Sequence, residues 1–344
     1  MSAARPIGVG VVGLGFMGRT HVEAYRAADA AGFANRLVAV CDASPERRAG
    51  VAFQGGNITQ GSGAERLFDP ALVRAHERFD DLLDDERVEL VSICTPTRSH
   101  VELAAKALRA GKHVLVEKPL SLTAAAMEPL VRADEQARTL CMPAHCMRFW
   151  PGWDWLVERP RAGSFGAPHS AVFFRLGSRP DWSPIYADLE ATGGALVDLH
   201  LHDVDFVRHA FGEPRAVSAG GTAHHLTALY DLKGGPAHLA VEGGWDHTGG
   251  FPFRMGFRVA CAEATVVFDL SADPVLRVHR GGETEAVALA EGTGYDGEVR
   301  HLLAAIAAGG GELRVTVADA LGTARLLDAE RESLERGGAR VELR

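Results

Sequence analysis

Long apolar runs are missing from this 344-residue chain, and so are a positive net charge, internal repeats and low-complexity tracts. No stretch is long enough to span a bilayer, and the start of the chain offers the glycine-punctuated GVGVVGLG where a signal peptide needs an unbroken apolar core. A cytoplasmic protein with no membrane partner is expected. Lysine and arginine number 36 against 45 acidic residues, a net charge of -9. That balance builds no field that would draw nucleic acid, so a small neutral or polar substrate fits better. Cysteines number only five (Cys41, Cys94, Cys141, Cys146 and Cys261), an odd and scattered set lying mostly in apolar stretches. They read as reduced core residues. Cys146 beside His145 would suit a reactive thiol, but no oxyanion-forming motif accompanies it, and packing is the preferred reading.

What is present is ample apolar material: 47% hydrophobic residues over a length too great for one ordinary α/β unit. Two domains are expected, 1–145 and 146–344, with the final helix able to pack back on the first. From residue 7 to 145 short β-branched runs alternate with helical patterns, the signature of a parallel sheet with crossover helices. The strands fall at 7–12, 37–41, 90–94, 113–116 and 139–143. Val101, Ala104, Ala105 and Leu108 recur at helical spacing and stop at Gly111. Residues 53–76 read as a surface excursion, and 123–138 as a helix that Pro129 kinks or divides. Beyond residue 148 the strands 171–176, 215–219, 226–232, 238–242, 257–261 and 265–270 follow one another without helices, which predicts a mostly antiparallel sheet. Residues 194–211 are the helical exception.

Gly13-Leu14-Gly15-Phe16-Met17-Gly18 follows a strand and opens a helix, the setting in which a GxGxxG string is informative. Gly13 permits the turn, Gly15 lets a pyrophosphate approach the backbone, and Gly18 lets helix and strand touch. Asp42 ends the second strand about 24 residues beyond the last glycine, placed to accept from the adenosine ribose hydroxyls. Its charge would repel a 2'-phosphate, so NAD is expected, while Arg47 and Arg48 are near enough to keep NADP as the alternative. Cys94-Thr95-Pro96-Thr97 and Glu117-Lys118-Pro119 close two further strands, where open parallel sheets bind ligands. Thr95, Pro96, His100, Glu117 and Lys118 therefore join Gly13, Gly15, Phe16, Met17, Gly18 and Asp42 as cofactor-site candidates. The fold class is α/β: a doubly wound Rossmann sheet first, then an α+β domain with a large open sheet.

GLGFMG, CTPTRSHVELAAKALRAGKHVLVEKPLSLT and GGALVDLHLHDVDF together resemble the Gfo/Idh/MocA oxidoreductases, the family of glucose-fructose oxidoreductase and inositol dehydrogenase, and the resemblance extends to GYDGEVRHLLAAI. It implies that Lys118 contacts substrate and cofactor, that Asp198 and His202 complete the catalytic group, and that the Lys118–Pro119 bond is cis. It also implies a homodimer or homotetramer formed through the flat face of the second sheet. His145 and Arg148 resemble residues lining the family's cleft, with a substrate contact and a structural role equally open for each. Thr192 and His200 replace glycines found in many members, and His200 suggests a subgroup with its own substrate.

Oxidising a secondary alcohol of a sugar, inositol or related polyol needs a base for the hydroxyl proton while hydride leaves the same carbon. His202 suits the base, since an imidazole titrates near pH ~6.5. Lys118 would stabilise alkoxide character and Asp198 would bind a neighbouring hydroxyl or orient its partners. If 194–211 is one helix, Asp198 and His202 share a face and His200 points away, touching the sugar's edge or packing structurally. Three rival readings remain at this point: an enzyme that retains NAD and cleaves glycosides, a zinc hydrolase using the His200/His202 pair, and an NAD-linked sensor. The preferred reading has no metal.

Overall fold

The computed structural model describes residues 5–55, 66–161 and 164–343. The chain divides into two compact units. Residues up to 121, 125–146 and 293–320 form the first; 122–124, 147–292 and 321–344 form the second. The chain passes from the first unit to the second after residue 146, and the segment that returns to the first unit is 293–320, while most of the final helix stays with the second.

The first unit holds β1 (Ile7–Val12), α1 (Phe16–Ala30), β2 (Asn35–Cys41), α2 (Pro45–Arg48), β3 (Arg74–His76), α3 (Phe79–Leu83), β4 (Leu90–Ile93), α4 (His100–Arg109), β5 (His113–Val116), α5 (Glu128–Gln136) and β6 (Cys141–Pro143). The strands pair in parallel in the order β3-β2-β1-β4-β5-β6. All of β1 is buried, as is all of β4, because helices cover both faces of such a sheet. That is why both read as unbroken apolar runs rather than alternations. The order reverses between β1 and β4, so the turns after these two strands sit side by side at the switch point where this architecture takes its ligands.

Two expectations for this unit are sharpened. β3 lies at the end of the excursion 53–76, whose central residues 56–65 are outside the described residues. The pattern over 123–138 is divided rather than kinked: a 3-10 turn over Ala125–Met127 comes first and Pro129 then occupies the opening turn of α5, where a missing N–H costs nothing.

The second unit begins with α6 (Trp153–Arg161), followed by β7 (Pro168–Ser178), α7 (Leu189–Thr192), α8 (Gly194–Asp198), α9 (Leu201–Phe211), β8 (Pro214–Thr222), β9 (His225–Leu232), β10 (His238–His247), β11 (Arg254–Cys261), β12 (Thr265–Asp269), β13 (Leu276–Arg280) and β14 (Glu283–Ala286). Next come α10 (Gly294–Ala307), packed along α1 in the first unit, and α11 (Val317–Glu335), with β15 (Val341–Glu342) closing the chain. The nine strands run β14-β13-β12-β11-β7-β10-β9-β8-β15. All pairs are antiparallel except β7 with β10. On β7, Ala171, Phe173, Arg175 and Gly177 are buried while Val172, Phe174 and Leu176 stay half-buried, the period-2 pattern of a sheet covered on one face. Trp153 fills the covered side, its ring centroid 4.8 Å from that of Phe206, 5.2 Å from Phe257 and 5.6 Å from Phe173.

The single helix expected over 194–211 is two. Leu199 and His200 both reach back to the carbonyl of Ala195, at 3.0 and 2.8 Å, and α9 starts afresh at Leu201. Gly193 and Gly194 both adopt φ of +72°, which only glycine tolerates easily, while Thr192 lies outside that region. Thr192 is therefore compatible with the turn; its hydroxyl donates to Asp188 O and accepts from the Gly194 N–H.

Candidate active site

The glycine loop is fitted to a dinucleotide at each of its three glycines. A Cβ on Gly18 would lie 1.9 Å from the carbonyl oxygen of Gly13, and one on Gly13, whose φ is +82°, would lie 2.7 Å from Cys94 O. These two glycines let α1, β1 and the turn after β4 touch. Gly15 is different: nothing lies within 4 Å of where its Cβ would be. Gly15 is also the N-cap of α1, with no side-chain cap and no acidic residue in the first turn, so the positive end of a 15-residue helix faces that open space. The residues present fit an NAD-type pyrophosphate. Phe16 and Met17, next on the loop, are half-buried.

Asp42 is buried at the end of β2. Its Oδ2 accepts from Leu14 N–H at 2.6 Å and its Oδ1 from Ser44 N–H at 2.8 Å, which ties it to the glycine loop. Arg47 Nη1 stands 3.6 Å from Oδ2, with its guanidinium over the Phe53 ring, while Arg48 donates to the Asp42 carbonyl and pairs with Glu77. Carboxylate oxygens each keep a second lone pair for a ribose hydroxyl. Asp42→Asn keeps an acceptor but removes the charge, and is expected to move the ratio of kcat/KM for NADP over NAD by about tenfold toward NADP, about 1.4 kcal/mol. An unchanged ratio would mean that this carboxylate does not face the ribose.

Lys118, half-buried, sits on a cis peptide bond to Pro119, as the resemblance implied. Two buried histidines hold its loop. His100 has Nδ1 at 2.7 Å from Pro119 O and Nε2 at 2.6 Å from Thr95 O, bridging the turns after β4 and β5. Burial pulls its pKa down against the lift from these carbonyls, so the ring is neutral at pH 7 and donates to one of them at a time. Being 1% exposed, His100 acts on the loops rather than as a cofactor contact. Pro96, by contrast, is exposed and Thr95 half-buried on the same turn.

The second histidine went unnoticed in the sequence. His21 of α1 is fully buried, with Nδ1 2.7 Å from Ser92 Oγ and Nε2 2.9 Å from Glu117 Oε1; Glu298 of α10 lies 4.0 Å from the same nitrogen. Glu117 Oε2 in turn accepts from the Lys118 backbone N–H at 3.1 Å. Burial opposes a charge on His21, yet Cys94 and Glu117 beside it raise its pKa well above the usual value; Glu117 is held low, its burial outweighed by His21 and Lys118. The pair is thus imidazolium and carboxylate. Glu298, where burial dominates, is raised well above its ordinary 4.5 and stays protonated.

Above pH 4.5 the unfolded chain releases the Glu298 proton while the folded chain keeps it, so stability falls as pH rises toward the raised value. Glu298→Gln removes that loss. Its Tm should exceed the wild type's by at least about 2 °C more at pH 8 than at pH 5; a gap that does not widen between those pH values would contradict the protonated assignment.

In the second unit Asp198 ends α8 and His202 opens α9, both half-buried. The break between the helices means that four-residue spacing alone no longer puts them on one face. For two other residues, between a substrate contact and a structural role, the side chains are engaged in the unit's core. Arg148 is buried and donates twice to Asp205, at 2.8 and 2.7 Å, and Thr323 closes on the same carboxylate. His200 is 0% exposed, its Nε2 3.1 Å from Glu330 Oε2, and Glu330 Oε1 accepts from Tyr230 at 2.6 Å. The bareness of Gly243 makes room for that ring, since a Cβ there would stand 2.6 Å from its Nδ1. Both residues hold the unit together and are withdrawn as substrate contacts, and His200 is withdrawn from any metal pair with His202. His145, in the first unit, is buried.

All five cysteines are free, and no helix among the described residues is long and apolar enough to cross a membrane. A sheet in the order 3-2-1-4-5-6 with a glycine loop and an acid at the end of its second strand, followed by a mixed nine-stranded sheet, defines a dinucleotide-binding oxidoreductase of two units. Comparison makes the assignment narrower. Residues 7–145 match the family model described as "Oxidoreductase family, NAD-binding Rossmann fold", and residues 154–266 match the "GFO/IDH/MocA C-terminal domain". The chain belongs to the Gfo/Idh/MocA oxidoreductase family.

Among curated relatives, the myo-inositol 2-dehydrogenase of Thermotoga maritima is 30% identical over 60% of this chain, a match spanning only 55% of that relative's length. The UDP-N-acetylglucosamine 3-dehydrogenase of Acidithiobacillus ferrooxidans is 29% identical over 87% of this chain and 88% of its own. Among solved structures, a levoglucosan dehydrogenase in complex with NADH and levoglucosan superposes with a TM-score of 0.83 at 23% identity, covering 98% of this chain and 99% of that one, a likeness of fold.

Proposed function

We propose that this chain transfers hydride between a secondary alcohol of a sugar, inositol or related polyol and the nicotinamide of NAD, with Lys118, Asp198 and His202 as its catalytic residues. NAD, when bound, supplies the hydride acceptor at the alcohol carbon. His202 takes the hydroxyl proton, so that the C–H electron pair leaves as hydride and the oxygen closes to a carbonyl. The Lys118 ammonium hydrogen-bonds the same oxygen as negative charge develops on it. Asp198 accepts from a neighbouring hydroxyl and fixes the ring's orientation. Gly15, the amino end of α1 and Asp42 hold the pyrophosphate and ribose.

The observation that carries this reading is the support beneath Lys118: its loop is tied through Glu117 to a buried imidazolium and through Pro119 O to His100, a degree of fixation that a solvated loop lysine does not need. The relatives bear on the substrate class, being dehydrogenases named for inositol and for a nucleotide sugar. The test is a panel of inositols, aldoses and aldose derivatives incubated with enzyme and NAD while NADH absorbance is followed. Accumulating NADH with at least one member is the expected result; turnover of a glycoside without NADH would instead favour the NAD-retaining reading.

We also propose a homodimer or homotetramer working in the cytoplasm. The half-buried Val172, Phe174 and Leu176 of β7 and the 49% exposed Leu229 of β9 support self-association through the open sheet face. Light scattering of the purified protein reads the mass.

A further inference from the structure

Apart from these residues, the second unit carries a cluster that the proposed reaction does not use. β9 and β10 run antiparallel with His225 opposite Gly244. Successive strand residues normally point to opposite faces, so Asp246 and His247 ought to diverge. A bulge prevents this: both pair with Ser178 of β7, two residues opposite one, the distortion that re-aims a side chain. One metal-ligating atom from each of His225, Asp246 and His247 consequently lies within 4.8 Å of the other two.

The surroundings are shaped to this grouping. A Cβ on Gly244 would stand 2.7 Å from the His225 ring, so glycine is what lets the imidazole lie over β10. The His247 ring stacks on Phe251 at 4.0 Å and 13°, and its Nε2 is buried with no hydrogen-bond partner among the described residues. A buried imidazole nitrogen left in that state is costly unless something binds it. His225 has Nδ1 2.6 Å from Asp246 Oδ1 and Nε2 3.1 Å from Glu242 Oε1, so a carboxylate stands ready to orient its ring from the far side, the usual support of a metal-bound histidine.

We propose that His225, Asp246 and His247 form a site for a divalent transition-metal ion, zinc being the best match to two imidazoles and one carboxylate, with Glu242 as the positioning residue for His225. Three protein ligands leave a coordination position for water or an outside donor. Imidazoles bind a metal only in their neutral form, so zinc affinity rises with pH.

The experiment is titration of the chelator-treated full chain with zinc ion alone, by calorimetry at pH 6.0 and 7.5, repeated with cobalt(II) followed by its visible absorption. One equivalent per chain is expected, tighter at the higher pH. His247→Ala and Asp246→Asn should each weaken binding by at least about tenfold, with circular dichroism confirming that each is folded. His202→Ala should bind zinc as the wild type does. Absence of a stoichiometric site in the wild type, or zinc that persists in His247→Ala and Asp246→Asn but disappears in His202→Ala, overturns the proposal. None of these readouts uses NAD turnover, so the site and the dehydrogenase reading fail separately.

Discussion

Replacing His202 with alanine should lower kcat by about two orders of magnitude or more while leaving NAD affinity within about threefold of wild type. In the proposed mechanism the glycine loop and Asp42 of the first unit hold the cofactor's pyrophosphate and ribose, whereas His202 opens α9 in the second. Removing the imidazole therefore strips a proton acceptor from the reaction without touching the groups that hold the dinucleotide. Steady-state NADH production and a separate NAD titration check the two halves. Near-normal turnover would remove His202 from the role of base. Lys118→Met offers the complement: it takes away the ammonium but keeps the bulk of the stem, so a comparable loss in kcat with the loop intact assigns the stabilising charge.

Gly18→Ala should raise the NAD dissociation constant by about a hundredfold or more, about 2.7 kcal/mol. The added methyl would sit 1.9 Å from Gly13 O and 2.9 Å from Gly13 C, backbone atoms that no side-chain rotation can move aside. α1 would have to retreat from β1, taking the amides of its first turn out of register with the phosphates. Gly15→Ala supplies the contrast, because its methyl meets no protein atom within 4 Å. That variant is expected to melt like the wild type yet bind NAD poorly, since the methyl enters the space kept for the ligand. Gly18→Ala should lose both stability and binding. If Gly15→Ala binds NAD normally, the open space beside it is not where the pyrophosphate lies.

The first sheet was readable in the sequence because strands buried on both faces leave unbroken apolar runs and because the glycine loop and Asp42 announce their neighbours. β3 was not: three residues, Arg74–His76, give too little pattern to stand out from the excursion before them. β14, with all four residues exposed, carries no apolar signal either. The break at Leu199–His200 was invisible because Leu196, Leu199, Val204 and Val207 keep a helical period across it.

Among site residues, sequence motifs singled out Lys118, Asp198 and His202 but could not tell which nearby polar groups were already engaged. For Arg148 and His200 both a substrate contact and a structural role were open, because their partners Asp205 and Glu330 are distant in sequence. His21 and Glu298 escaped for the same reason. A histidine on the buried stripe of α1 has no local mark that separates it from a core residue, and only the arrival of β4, β5 and α10 gives it partners.

The parallel pairing of β7 with β10 decides how the chain must travel through the second unit. Parallel neighbours cannot be linked by a hairpin, so everything between Ser178 and His238, including α8, α9 and the β8–β9 hairpin, is the crossover that joins them. Joining β10 to β7 is therefore a long-range closure that carries the loop entropy of the whole crossover. The helices bearing Asp198 and His202 belong to a segment anchored at both ends in adjacent strands of one sheet.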